Sequence, residues 1–244
     1  MRIPRIHVGV RLIPGQEIEL PQQAGEHLVR VLRLERGQPL RLFDGSGNEH
    51  EAELASIAKR TATALVKEAV AANDRESPLR VTLGQGIARG EKMDWILQKA
   101  TELGVAHIVP LVTARTEVRL DATRAQRRLA HWRAVVASAC EQCGRSRLPD
   151  LAEPLPLAAW VAGLNPDAGV RLVLDPEGPL RLRDTAPAAQ AVLAVGPEGG
   201  LSPQELATLH QADFAGLRLG PRILRTETAG LAALASLQAL HGDA

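Results

Sequence analysis

Two Gly/Pro loops, Gly196-Pro197-Glu198-Gly199-Gly200 and Gly220-Pro221-Arg222-Ile223, constrain the fold of this chain more than any other feature. Each follows a short apolar run of strand character and each opens into a helical pattern. Loops of this kind at the same ends of neighbouring strands build one pocket from backbone groups, which is where an open α/β sheet binds its ligand. The chemistry is therefore expected in the last third of the chain.

The residues upstream extend the same pattern. From Leu79 onward, strands alternate with helices, the signature of a parallel sheet. Strands are expected at 79–87, 107–112, 170–174, 191–195 and 214–219. A helix that places Met93, Ile96, Leu97, Ala100 and Leu103 on one face stops at Gly104. A longer helix, capped by Asp121, buries Ala125, Leu129, Trp132, Val136, Ala139 and Cys140, and its opposite side carries Arg124, Arg127, Arg128 and His131. Residues 153–169 and 176–190 are rich in Pro, Ala and Gly and carry little signal. Residues 1–72 have another texture, short alternating runs broken by turn residues, with one helix near 22–34; they read as a small β-barrel or sandwich. The polar stretch 73–78, ending at Pro78, is the expected linker between a domain over 1–72 and a domain over 79–244.

Composition sets limits on function. Of 244 residues, 45% are apolar, ample for a core in each part. The net charge of +1 hides an asymmetry: residues 73–150 carry 13 Lys and Arg against 9 Asp and Glu, whereas residues 151–244 carry 6 against 10. A basic middle permits a polyanionic partner on one face. No leading segment has the pattern of a secretory signal and no apolar run is long enough to span a bilayer, so a cytoplasmic protein is expected. Cys140 and Cys143 form a C-x-x-C within a helical stretch, with neither four zinc ligands nor a preceding strand, and read as structural or incidental. No metal is expected.

Ser202-Pro203-Gln204-Glu205, following the first loop, is a capping box with proline at the first helical position. A phosphate loop is disfavoured there, because Glu198 repels phosphate and the G-x-x-x-x-G-K-[ST] order is absent. The second loop continues as Arg225-Thr226-Glu227-Thr228, so two arginines, an acid and two hydroxyls lie between a buried strand and an Ala/Leu-rich helix. Without a ligand, Glu227 is expected to pair with Arg225 while Thr226 or Thr228 caps the helix. One acid, however, cannot satisfy two guanidiniums. The last helix is apolar nearly all round, the pattern of a helix that packs against another subunit as well as its own sheet.

Several blocks together resemble the RsmE family of SPOUT-class RNA methyltransferases: MRIPRI at the start, HLVRVLR, LFDG, RGEKMDW, QKATELGV, ACEQCGR, GPEGG and LGPRILRTETA. The resemblance implies an α/β fold, a SPOUT-type parallel sheet with a C-terminal trefoil knot, preceded by a PUA-like β-barrel that binds RNA. It implies methylation of N3 of a uridine in small-subunit (16S) ribosomal RNA by S-adenosylmethionine, and a homodimer with the pocket near the subunit boundary. Carried onto this chain, the cofactor positions are Leu174, Val195, Gly196, Gly200, Leu219, Gly220, Ile223 and Leu224.

The residues themselves suggest roles. Uracil N3 must lose a proton to become a nucleophile, and an arginine aimed at a ring oxygen stabilises the charge left behind; Arg225 is the first choice. Glu198 or Glu227 accepts the proton or orients that arginine, two roles the sequence does not separate. RNA contacts are expected from Arg2, Arg5, Arg30, Arg33, Arg89, Lys92, Arg145 and Arg147. With 2 Phe, 3 Trp and no Tyr, few rings are available for stacking on bases. The alternative is a non-catalytic RNA-binding or ribosome-assembly module on the same fold, against which the intact GPEGG and RILRTETA loops speak.

Overall fold

The computed structural model describes residues 3–58, 61–71, 75–118, 122–167 and 169–244. Arg2, the linker residues Asn73 and Asp74, and the expected cap Asp121 lie outside the described residues. The chain divides into two units: Met1–Glu76 with Ala137–Leu148, and Ser77–Val136 with Pro149–Ala244.

The first unit contains β1 (Arg5–His7), β2 (Glu17–Glu19), a helical segment α1 (Gln22–Glu26) that widens into a π-helical turn over His27–Val31, β3 (Pro39–Phe43), β4 (Glu49–Ile57) and β5 (Ala62–Ala69). They form one sheet in the order β1-β3-β4-β5-β2, parallel between β1 and β3 and antiparallel elsewhere. Alternation decides which face turns inward: Ala52 and Leu54 of β4 and Ala62, Ala64 and Val66 of β5 are buried, while Glu53, Thr63 and Leu65 between them are only half-buried. Leu28, Leu40 and Leu42 complete that core.

The second unit is built on β6 (Arg80–Gly86), α2 (Glu91–Glu102), β7 (His107–Val112), α3 (Ala122–Cys143), β8 (Asp150–Leu151), β9 (Leu155–Pro156), α4 (Leu157–Ala162), β10 (Val170–Leu174), β11 (Gln190–Val195), α5 (Pro203–Gln211), β12 (Ala215–Leu217) and α6 (Thr226–His241). The last turns of α3, from Ala137, belong to the first unit. All strand pairs are parallel, in the order β12-β10-β11-β6-β7-β8, with β9 also beside β7. Leu172, Leu193, Leu83 and Ile108 lie in register across four strands and are fully buried, as a sheet covered on both faces demands. Among the described residues, no helix is long and apolar enough to cross a membrane.

Two regions depart from expectation. The stretch 153–169, which carries little sequence signal, holds β9 and α4, anchored by buried Leu157 and Trp160. The last strand is shorter than expected and spans Ala215–Leu217, where an isolated parallel bridge to Leu180 lets the Arg218 amide donate to Leu180 O at 2.9 Å.

Candidate active site

The strand order places β12, β10 and β11 side by side, all pointing the same way. Their carboxyl ends, Leu217, Leu174 and Val195, therefore open onto one cleft of about 530 Å³, closed by the two Gly/Pro loops and the start of α6. All eight positions named for the cofactor line it, as do Glu198, Arg225 and Glu227. Lys92, Arg115, Asp175 and Arg218 line it too and were not foreseen there; Lys92 was expected at an RNA surface.

Close backbone approach explains the glycines. A Cβ on Gly86, at the end of β6, would lie 2.4 Å from Pro197 N, so only glycine lets β6 end against the first loop. Gly200 takes φ +70°, which turns that loop into the helix. The expected capping box is present: Ser202 Oγ accepts from the Glu205 amide at 3.2 Å and Glu205 Oε2 from the Ser202 amide at 2.8 Å. Glu205 Oε1 also accepts from the Ala114 amide at 2.7 Å, and Arg115 Nη1 donates to Gly199 O at 2.8 Å. The segment after β7 thus clamps the first loop from outside.

The second loop is pinned from inside. Buried Thr226 donates from Oγ1 to Gly196 O at 2.6 Å and accepts from Gln85 Nε2 at 2.9 Å. One hydroxyl thereby ties the first turn of α6 to the first loop and to the centre of the sheet. Thr226→Val removes that hydroxyl at nearly constant volume, so Gly196 O loses this donor and Gln85 Nε2 keeps only its bond to Gly86 O, a cost of about 1–3 kcal/mol. Thermal melting of Val and Ser variants measures it: Val is expected to melt several degrees lower and Ser to stay near the parent.

The ligand-free expectation for the second loop requires correction. Glu227 is not paired with Arg225; Lys92 Nζ stands 3.6 Å from its Oε2. Neither threonine caps α6: Arg225 holds the N-cap position, without a side-chain capping bond, and Thr226 spends its hydroxyl on Gly196. The reason is spatial, because the first turn of α2 brings Lys92 against both loops at once. Lys92 Nζ also lies 3.3 Å from Glu198 Oε1, which accepts from the Arg89 amide at 3.0 Å. Burial works to raise the Glu198 carboxyl, but these donors outweigh it and hold its pKa below the ordinary carboxylate value. Glu227 Oε2, in contrast, is buried and takes no hydrogen bond from any described residue. Arg225 is exposed, lines the cleft, and has no hydrogen-bond or ion-pair partner for its guanidinium among the described residues.

The residues expected to contact RNA separate into two groups. Arg5 is 9% exposed, bridging Glu49 at 2.8 Å and donating to Cys140 O and Ser146 Oγ. Arg145 is 4% exposed in a bidentate pair with Glu76. Both side chains are committed to internal partners, since a buried guanidinium must be paired. Arg30, Arg33, Arg89 and Arg147 remain exposed. The C-x-x-C pair is structural in form: Cys140 is buried, and its hydrogen bond with Cys143, together with burial, pushes its thiol far above the ordinary range.

Residues 75–238 match the model of an RNA methyltransferase domain, and residues 20–67 that of an RNA methyltransferase PUA domain. The chain is 32% identical to the ribosomal RNA small subunit methyltransferase E of Buchnera aphidicola from Schizaphis graminum, over 99% of this chain and 98% of that one. It is also 32% identical to the protein of that name from Bacillus subtilis, over 95% and 92%. Among solved structures, it is similar to a ribosomal RNA small subunit methyltransferase E from Neisseria gonorrhoeae bound to S-adenosyl methionine, with a TM-score of 0.93, 40% identity and 99% of both chains covered. A two-loop cleft at the carboxyl ends of three parallel strands, both domain matches and end-to-end relatives agree, and the chain belongs to the ribosomal RNA small subunit methyltransferase E family.

Proposed function

We propose that this protein transfers a methyl group from S-adenosylmethionine to N3 of a uridine in small-subunit ribosomal RNA, in the cytoplasm. The observation that carries the reading is the cleft between the two Gly/Pro loops, with the Lys92, Glu198 and Glu227 cluster on its wall. The cleft suits the cofactor. Its volume is that of a small-molecule site, Leu174, Val195, Leu219 and Leu224 offer apolar walls to a purine, and backbone groups of both loops face the same space. A Cβ on Gly196 would lie 3.0 Å from the Gly200 carbonyl carbon, so a side chain there would push against the loop that closes the cleft.

When bound, S-adenosylmethionine supplies a methyl group on a sulfonium, open to in-line displacement. The protein's share is positioning and charge. Glu198 is committed to the Arg89 amide and to Lys92, so its role is to hold Lys92. Glu227 Oε2 is buried, takes no hydrogen bond from a described residue and stands 3.6 Å from Lys92, and it accepts the N3 proton. Arg225 lies against the negative charge left on the uracil ring.

The same reading includes a PUA-like RNA-binding domain over 1–72, a methyltransferase domain over 79–244 whose C-terminal chain forms a trefoil knot, and a homodimer. The dimer is supported by the last helix, whose Leu240 is half exposed on an otherwise apolar element. Calorimetric titration with S-adenosylmethionine, then mass mapping of small subunits from cells lacking the protein before and after treatment with it, tests the proposal. One site per chain and one methyl on a uridine base are expected; no cofactor binding, or a methyl on another base, overturns it.

A further inference from the structure

The arginine face of α3 was evident in the sequence, yet no role assigned above uses it. Between Ala122 and Cys140 the helix contains Arg124, Arg127, Arg128, Arg133 and His131, and no Asp or Glu. Its apolar side, with Leu129, Trp132 and Val136, is buried. Arg124 and Arg128, one turn apart, line an open groove with Arg89, Gly90, Glu117 and Val118. Glu117 pairs with Arg89, His131 Nε2 lies 2.7 Å from Asp94 and Arg124 has an interaction partner of its own, so part of this charge is offset; the groove still gathers three guanidiniums and one carboxylate among its described lining residues.

We infer that this groove binds the sugar–phosphate backbone of the RNA strand that enters the cleft. The inference rests on the methyltransferase reading and deepens it. Three observations point to nucleic acid. The excess charge is arginine on a rigid helix, suited to phosphate oxygens. The groove adjoins the cleft through one residue, because Arg89 lines the groove while its amide holds Glu198 of the cleft. Of the arginines first expected to meet RNA, Arg5 and Arg145 are spent on internal pairs, whereas Arg89 remains exposed and lines this groove.

The test compares wild type with R124Q/R128Q on small-subunit ribosomal RNA and on undermethylated small subunits. Neither residue lines the cleft, so calorimetric affinity for S-adenosylmethionine is expected to stay at the wild-type value, and circular dichroism checks that the variant is folded. Binding to RNA is expected to weaken several-fold. The slope of log K against log salt should become shallower by about 1–2, roughly one phosphate per arginine. R124K/R128K, which keeps the charge, should recover most of the slope. An unchanged slope in R124Q/R128Q overturns the inference. So does a defect seen on whole subunits but not on naked RNA, which assigns the groove to an acidic protein. A wild-type enzyme that neither binds nor methylates RNA overturns the functional reading instead.

Discussion

Glu227→Gln is expected to lower turnover roughly 10²–10⁴-fold while leaving S-adenosylmethionine affinity within a few-fold of wild type. Glutamine keeps the shape of the side chain, and Lys92 retains Glu198 as a partner at 3.3 Å, so no buried cation is stranded. What is lost is the acceptor for the N3 proton. The residual rate of the variant should rise with pH more steeply than that of wild type, because hydroxide removes the proton in place of the carboxylate. Glu198→Gln provides the contrast. The Arg89 amide and Lys92 lower its carboxyl pKa, so it stays ionised through the neutral range. Its loss loosens Lys92 and is expected to raise the Michaelis constant more than it lowers turnover. The opposite outcome, with Glu198→Gln inactive and Glu227→Gln near wild type, would falsify the division of roles.

How much of this could be read in the chain depends on the distance over which each feature is encoded. The apolar runs at Val170–Leu174 and Ala191–Val195, the capping box at Ser202 and the apolar face of α2 are local patterns, and these elements recur in the structure within a residue or two. The strand order is not local. Nothing in Gln190–Val195 states that β11 inserts between β10 and β6, yet that insertion brings the ends of β12, β10 and β11 together. The short β8 and β9 are held by pairing with β7 and not by their own composition.

Side-chain roles follow the same rule. Arg5 and Arg145 resemble surface cations in sequence because the acids that bury them lie 44 and 69 positions away. Lys92 faces the cleft only because α2 starts beside both loops. Gln85 did carry a signal, a polar residue between two glycines at the buried end of a strand, but its partner Thr226 lies 141 positions on.

Arg225→Ala is expected to reduce turnover by about 10²–10³, the cost of removing one preorganised donor from a developing anion. The structure makes this substitution unusually clean. The Arg225 guanidinium has no partner among the described residues, so truncation strands no buried acid. Its backbone carbonyl, which accepts from the Ala229 amide at 2.8 Å, remains to start α6. Folding and S-adenosylmethionine affinity should therefore change little, and the loss should appear in turnover on RNA. Arg222→Ala is the matched control, from the same exposed loop and the same cleft but before the helix starts, with an expected effect under tenfold. Arg225→Lys keeps the charge without the planar fork and should fall between the two. If Arg225→Ala is fully active, charge on the uracil ring is stabilised elsewhere, and Lys92, a cation held against Glu198 and Glu227 on the same cleft, becomes the residue to test.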